Sequence, residues 1–141
     1  MTEPANPPVD LAAARRLLAA QPFSVLLGAR LAEFGDGTAV LELPARDELR
    51  QQNGYLHGGV LSYAADNALT FAGGSVLGPS VLTGGLTISY LRPAAGDLLR
   101  TRATVVHASR RQAFCRCDLF VVQDGEAVLC AAAQGTIVST R

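Results

Sequence analysis

The residues at positions 57–66 are of types that could act on a carbonyl group. His57-Gly58-Gly59 lies at the start of a segment with helical composition, and Asp66 is nine positions after the histidine. The first N–H groups of a helix lack partners within it, and the helix dipole adds roughly half a positive charge there. Because glycine has no side chain, a carbonyl oxygen could approach these N–H groups closely, and a developing oxyanion would be stabilised. Packing or a phosphate site would explain the same glycines.

Asp66 could supply a base or a nucleophile. A carboxylate two turns into an apolar helix is costly to bury unless it is paired or functional. It could also bond to a loop or face solvent, on the stripe that it shares with Ser62 and Thr70 at spacing i, i+4, i+8. Gly58 and Asp66 are eight residues apart, which is about 12 Å along a helix. If both act on one substrate, a second copy of the chain must supply one of them, so catalysis predicts a homodimer with two equivalent sites.

The elements that position these residues follow from the apolar pattern. The run from Gly58 to about Gly73 is apolar nearly all round, which predicts a buried helix. Asp10 is predicted to cap a short helix that continues to about Gln21. Strands are predicted over residues 25–34, 38–43, 82–92, 98–108, 112–123 and 127–138. This order predicts an α+β fold in which an antiparallel sheet wraps around one long buried helix. Residues 1–8 are expected to form a flexible tail and residues 9–141 a single domain.

Composition argues against several classes of protein. The net charge is +0 without a basic block, which argues against nucleic acid as a partner. No apolar run approaches the roughly 18 residues that span a bilayer, and the N-terminus lacks the pattern of a secretory signal, so a cytoplasmic location is expected. Cys115, Cys117 and Cys130 form no Cys/His cluster, which favours small buried hydrophobes over a metal site. Neither a GxSxG elbow nor a phosphate-loop motif is present.

The segment QQNGYLHGGVLSYAADNALTFAG, residues 51–73, resembles the signature of the hotdog-fold acyl-CoA thioesterases of the PaaI-like group. Residues 21–44 and 82–97 resemble the hairpin before that segment and the strand after it. The resemblance implies hydrolysis of a small aromatic or short- or medium-chain acyl-CoA, without a metal or redox cofactor. It also implies a homodimer as the minimum unit, paired into a homotetramer. The rival interpretation is a non-catalytic acyl-CoA-binding or regulatory protein, which would not need Asp66.

The resemblance also assigns roles to single catalytic positions. The Gly58 N–H would bind the thioester carbonyl. Asp66 would act across the dimer interface, either by activating a water or by attacking directly. His57 would orient the substrate or the leaving sulfur. Gln51 would position the water or the carbonyl, and Thr83 would hold the water.

Further positions are candidates for contact with acyl-CoA. Asn53 competes with Gln51 for its role, and Gly59 and Tyr63 would contact the substrate, Tyr63 as part of a pocket that also includes Phe71. The phosphates of CoA would favour arginine. The candidates for that contact are Arg92, Arg110 and Arg111. A solvated turn would explain the arginines equally well.

Overall fold

The computed structural model describes residues 9–141, so the predicted tail over residues 1–8 lies outside the described residues. The helices and strands are α1 (Leu11–Ala19), α2 (Pro22–Leu27), β1 (Arg30–Gly35), β2 (Thr38–Pro44), α3 (Gly58–Leu77), β3 (Val81–Tyr90), β4 (Leu98–Ala108), β5 (Gln112–Gln123) and β6 (Glu126–Ser139). A single turn of 3-10 helix, Asp47–Leu49, lies between β2 and α3. No helix within residues 9–141 is long and apolar enough to cross a bilayer.

The six strands form one antiparallel sheet in the order β1-β2-β4-β5-β6-β3. The sheet curves around α3, whose buried side chains pack on the inward-facing residues of every strand. At Gly73 the helix lies close to β6, because a Cβ atom there would be 2.7 Å from the side chain of Ile137. The predicted antiparallel sheet around a buried helix is therefore confirmed, and β3 is left as an edge strand.

The beginning of the chain differs from its prediction. Residues 25–34 were expected to form one strand, but Pro22–Leu27 form α2 and the strand starts only at Arg30. Pro22 stands at the first position of α2, and Gly28 ends the helix with φ 77°. Proline at a helix start and a left-handed glycine after its end are a matched pair of signals. The apolar run between them is too short to distinguish the periodicity of a helix from that of a strand, so its pattern also fits a strand.

Helices α1 and α3 lie close to their predicted positions. The carboxylate of Asp10 accepts the N–H of Ala13 at 2.8 Å, so it caps α1 as expected. Helix α3 begins at the predicted Gly58 but continues to Leu77 and ends at Gly78. Of the four strands that follow, β4 and β5 match their predicted bounds, and β3 and β6 deviate from theirs by one or two residues at each end.

A bulge interrupts β3 between Thr83 and Gly85. Side chains alternate along a regular strand, so residues an odd number apart point to opposite faces. The extra residue, Gly84, reverses that alternation. Consequently Thr83 and Tyr90, seven positions apart, both direct their hydroxyls toward α3.

Candidate active site

His57 is the N-cap residue of α3. Its Nδ1 accepts the N–H of Gly59 at 2.8 Å, while its backbone carbonyl accepts the N–H of Val60 at 2.9 Å. Among the described residues the Gly58 N–H has no acceptor, so it is the donor left available at this helix end. Gly59 was predicted to contact the substrate, but its N–H is already used by His57. A Cβ atom on Gly59 would lie 3.0 Å from the His57 ring, so glycine here makes room for the cap.

Tyr90 packs over the start of α3, which the sequence did not indicate. Its hydroxyl lies 2.6 Å from the Ser62 hydroxyl and donates to the Gly58 carbonyl at 3.1 Å. Its ring would lie 3.5 Å from a Cβ atom on Gly58. Tyr90 therefore holds the first turn of α3 against β3. The signal that could have found it is Gly84-Gly85, because paired glycines within a strand pattern indicate a bulge.

Asp66 lies partly buried on the side of α3 that faces β3. Its Oδ1 accepts a hydrogen bond from the Thr83 hydroxyl at 2.5 Å. The Thr70 hydroxyl lies 2.9 Å from that of Thr83 and also donates to the backbone carbonyl of Asp66 at 2.8 Å. Within residues 9–141 the second carboxylate oxygen of Asp66 has no hydrogen-bond partner and the carboxylate forms no ion pair. The structure thus brings Thr83 to Asp66 and leaves the second carboxylate oxygen without a partner among the described residues.

Gln51 and Asn53 belong to the loop that leads into α3. The Gln51 side-chain oxygen accepts the backbone N–H of Asn53, and the Gln51 N–H donates to the Tyr55 carbonyl at 2.8 Å. The same loop is tied to the helix start, because the His57 N–H donates to the Leu49 carbonyl at 2.9 Å. Gln51 and the exposed Asn53 therefore lie at the Gly58 end of α3, two helical turns from the Asp66 carboxylate of the same chain.

Tyr63 has a structural environment of its own. Its hydroxyl donates to the Ser24 hydroxyl at 2.6 Å and accepts from the Asn67 amide at 3.0 Å. Its ring meets that of Phe23 edge to face, with centroids 5.3 Å apart. Desolvation by burial raises the pKa of Tyr63. These contacts fix α2 on α3, and Tyr63 does not line the cleft to which Phe71 contributes.

The three candidate arginines lie at opposite ends of β3. Arg92 follows β3 directly, on the side of Tyr90 and Gly58. Arg110 and Arg111 form the β4–β5 turn. The Arg111 carbonyl accepts the N–H of Ser139, whose register partner is the first residue of β3. A ten-residue strand separates the two groups by about 30 Å. All three side chains are exposed. The Arg111 guanidinium donates a hydrogen bond to the Arg141 carbonyl oxygen, and within the described part of the chain neither Arg92 nor Arg110 forms an ion pair.

The three cysteines are buried and free. Burial raises the pKa of Cys115 to about 11 and that of Cys117 to about 12, so both thiols stay protonated at neutral pH. Their environments are those of small core residues, as predicted. Among residues 9–141 no group of three His, Cys, Asp or Glu side chains is arranged to hold a metal ion.

Comparisons with known proteins agree with this fold. The family model described as the thioesterase superfamily matches residues 53–128. A thioesterase family protein from Silicibacter pomeroyi is 31% identical, with 89% of this chain and 93% of that chain covered and a TM-score of 0.84. A mutant of the phenylacetic acid degradation protein PaaI from Thermus thermophilus is 30% identical, with 84% and 99% covered and a TM-score of 0.73.

A third solved structure is similar to this chain in fold alone. The PaaI protein of the Escherichia coli phenylacetic acid degradation operon is 23% identical, with 91% of each chain covered and a TM-score of 0.80. Among the curated proteins no sequence matches this chain. Together the solved structures confirm the hotdog architecture that residues 51–73 predicted.

Proposed function

The chain belongs to the thioesterase superfamily, and we propose that it hydrolyses the thioester bond of an acyl-CoA to the free acid and CoA. The observation that carries the proposal is that two groups of functional residues, here called half-sites, lie at opposite ends of β3. At one end, the Tyr90 hydroxyl donates to the carbonyl of Gly58, the residue whose N–H is free, and at the other, the Thr83 hydroxyl donates to the Asp66 carboxylate. Each half has one part of the chemistry, an oxyanion donor or a base, and neither is complete alone.

Two copies of the chain complete the site if they pair along β3. This strand is at the sheet edge, and the large apolar side chains of Leu82, Tyr90 and Leu91 on or beside it are more than half exposed. An antiparallel pair about a twofold axis at Thr87 brings Thr83 of one strand beside Tyr90 of the partner subunit, because the bulge at Gly84 adds one residue on that side. Asp66 then approaches Gly58 of the partner subunit, which the two-turn separation within one helix prevents. Further pairing of dimers into a tetramer stays a prediction.

The reaction follows from the groups that meet at such an interface. The thioester carbonyl accepts the Gly58 N–H, at the positive end of the α3 dipole. Asp66 of the other chain removes a proton from a water that attacks the carbonyl carbon, or attacks that carbon itself. The tetrahedral intermediate collapses, the carbon–sulfur bond breaks, and the electron pair leaves on the sulfur of CoA, which takes up a proton. If Asp66 attacks directly, the product of this step is a mixed anhydride, and a water then hydrolyses it to the free acid and restores the carboxylate. Thr83 orients the carboxylate through its hydrogen bond.

His57 is suited to assist the leaving sulfur. Its Nδ1 accepts the Gly59 N–H, so a neutral His57 ring carries its proton on Nε2. Within the described residues that N–H has no acceptor, so it can donate toward the substrate. Gln51, in the loop beside it, positions the water or the carbonyl from the same side.

The binding of CoA draws on the same pairing. Within one chain Arg92 and the Arg110-Arg111 turn are at opposite ends of β3, but an antiparallel pair brings Arg92 and the partner subunit's Arg111 to one end. Guanidinium groups gathered there match the phosphates of CoA. CoA is part of the substrate, and the proposed steps require no metal or redox cofactor.

The test is a hydrolysis panel of acyl-CoAs with detection of the released thiol. We expect wild type to hydrolyse at least one acyl-CoA, and Asp66→Asn and Asp66→Ala to lower kcat by about 10²–10⁴, the usual value of a general base. Asp36→Asn, in an exposed turn where asparagine tolerates positive φ, is the matched control. Absence of hydrolysis by wild type would favour the non-catalytic acyl-CoA-binding protein, and full activity in Asp66→Ala would exclude the proposed mechanism.

A further inference from the structure

A cleft of about 250 Å³ opens between α1, α3 and the start of β3. Its walls include Leu17 of α1, Phe34 of β1, and Phe71 and Gly74 of α3. The two phenylalanine rings meet edge to face with centroids 6.1 Å apart and together form one wall of the cleft. Leu17 also lines the cleft, and its side chain is 44% exposed. No charged side chain lines the cleft within the described part of the chain.

The cleft adjoins the Asp66 half-site through Thr70. Thr70 lines the cleft, and its hydroxyl is 2.9 Å from that of Thr83, which in turn bonds to Asp66. A thioester carbonyl beside Asp66 therefore has an apolar space next to it in the same chain. The Gly58 N–H, by contrast, comes from the other chain in the proposed site.

We propose that this cleft binds the acyl group of the substrate and that Leu17 sets the length of acyl group it accepts. The proposal rests on the proposed function. One chain then supplies Asp66 and the acyl pocket, and its partner supplies the oxyanion donor. An apolar cavity of about 150 Å³ holds benzene, so the larger cleft suits an arylacetyl group or a straight chain of about six to eight carbons. Within the described residues no charged side chain lines the cleft, so burying an acyl group with a charged end there would be unfavourable.

Opposite substitutions at Leu17 test this role. Leu17→Trp fills the cleft and should lower kcat/KM for octanoyl-CoA or phenylacetyl-CoA by at least tenfold relative to acetyl-CoA, since one methylene in an apolar pocket changes kcat/KM about 10- to 200-fold. Leu17→Ala lengthens the cleft and should move the preferred chain length upward. General damage to the protein cannot produce that upward shift. An unchanged chain-length profile in both variants, with wild type active, would overturn the inference and leave the proposed function standing.

Leu26 provides matched controls. It is an exposed leucine of α2, 66% exposed, and does not line the cleft. Leu26→Trp and Leu26→Ala should therefore keep the wild-type chain-length profile. If they shift it as the Leu17 variants do, the assignment to the cleft is wrong.

A binding measurement separates the inference from the hydrolysis itself. Hexanamide and phenylacetamide carry a carbonyl and an apolar group, resist hydrolysis and are uncharged. In NMR titrations they should shift the amide signals of Leu17, Thr70 and Gly74 in wild type and in Leu26→Trp, with at least tenfold weaker binding in Leu17→Trp. This result is expected even if the protein hydrolyses no thioester. Equal binding to Leu17→Trp, or shifts confined to other regions, would reject the acyl cleft whatever the activity.

Discussion

The Thr83 hydroxyl donates to the Asp66 carboxylate at 2.5 Å, from an edge strand to the central helix. Thr83→Val removes this donor with little change of volume. A hydrogen bond to a charged group contributes about 1.5–3 kcal/mol, so we expect kcat to fall about 10- to 150-fold. Thr83→Ser keeps the hydroxyl and should retain activity within a few-fold. Wild-type kinetics in Thr83→Val would show that the contact has no part in the reaction.

The Gly58 N–H can be removed without losing the helix. Proline is favoured at the first position of a helix, where its missing N–H breaks no helical bond, and the residue before it must be extended. His57 already has φ −63° and ψ 138°. Gly58→Pro should therefore fold with an unchanged melting temperature and lose about 10²–10³ in kcat. Gly58→Ala keeps the N–H and is the control for added bulk beside Tyr90. A proline variant as active as the alanine variant would remove Gly58 from the mechanism.

Features that depend on one continuous segment could be predicted from the sequence, whereas contacts between distant segments could not. The buried helix and the Gly58–Asp66 separation follow from residues 51–73, because helical rise fixes that distance. The helix at Pro22–Leu27 was missed, since the short apolar run is compatible with either period and only its flanking residues decide. The contacts of Tyr90 depend on the Gly84 bulge, because the extra residue changes which face of the sheet the following side chains point to. The bond from the Gly59 N–H to His57 Nδ1 could not be read from the sequence, and the substrate contact of Gly59 stays a prediction.

The buried thiols predict a loss of stability at alkaline pH. Desolvation holds the pKa of Cys115 near 11 and that of Cys117 near 12, against about 8.5 in an unfolded chain. Above about pH 9 the unfolded chain loses protons that the folded chain keeps, so the free energy of unfolding falls as pH rises. Urea unfolding at pH 8 and pH 10 should show this fall, and Cys117→Ala should reduce it. Thiol reagents at pH 8 should label the cysteines only after unfolding, and rapid labelling of the native protein would contradict their burial.

The proposed edge pairing predicts a self-crosslink in β3. Thr87 is exposed and lies near the proposed twofold axis, where it faces its own copy across the interface. Disulfides form when Cα atoms are about 4.4–6.8 Å apart, so Thr87→Cys should give a covalent dimer on mild oxidation. Thr104→Cys is the control, because Thr104 is exposed on the interior strand β4. The native cysteines are buried and should not interfere. Crosslinking of both variants alike, or of neither, would argue against pairing along β3.

Mixing two inactive variants tests the shared site directly. Asp66→Asn keeps an intact Gly58, and Gly58→Pro keeps an intact Asp66. In a heterodimer one of the two sites receives both wild-type groups, while the other receives neither. Random exchange makes half of the dimers mixed, each with one working site of two, so activity should recover to about a quarter of wild type. The measurement is the rate of thiol release after the variants are unfolded together and refolded, with each variant refolded alone as the control. If each chain contained a complete site, both sites of a heterodimer would remain defective and no activity would return.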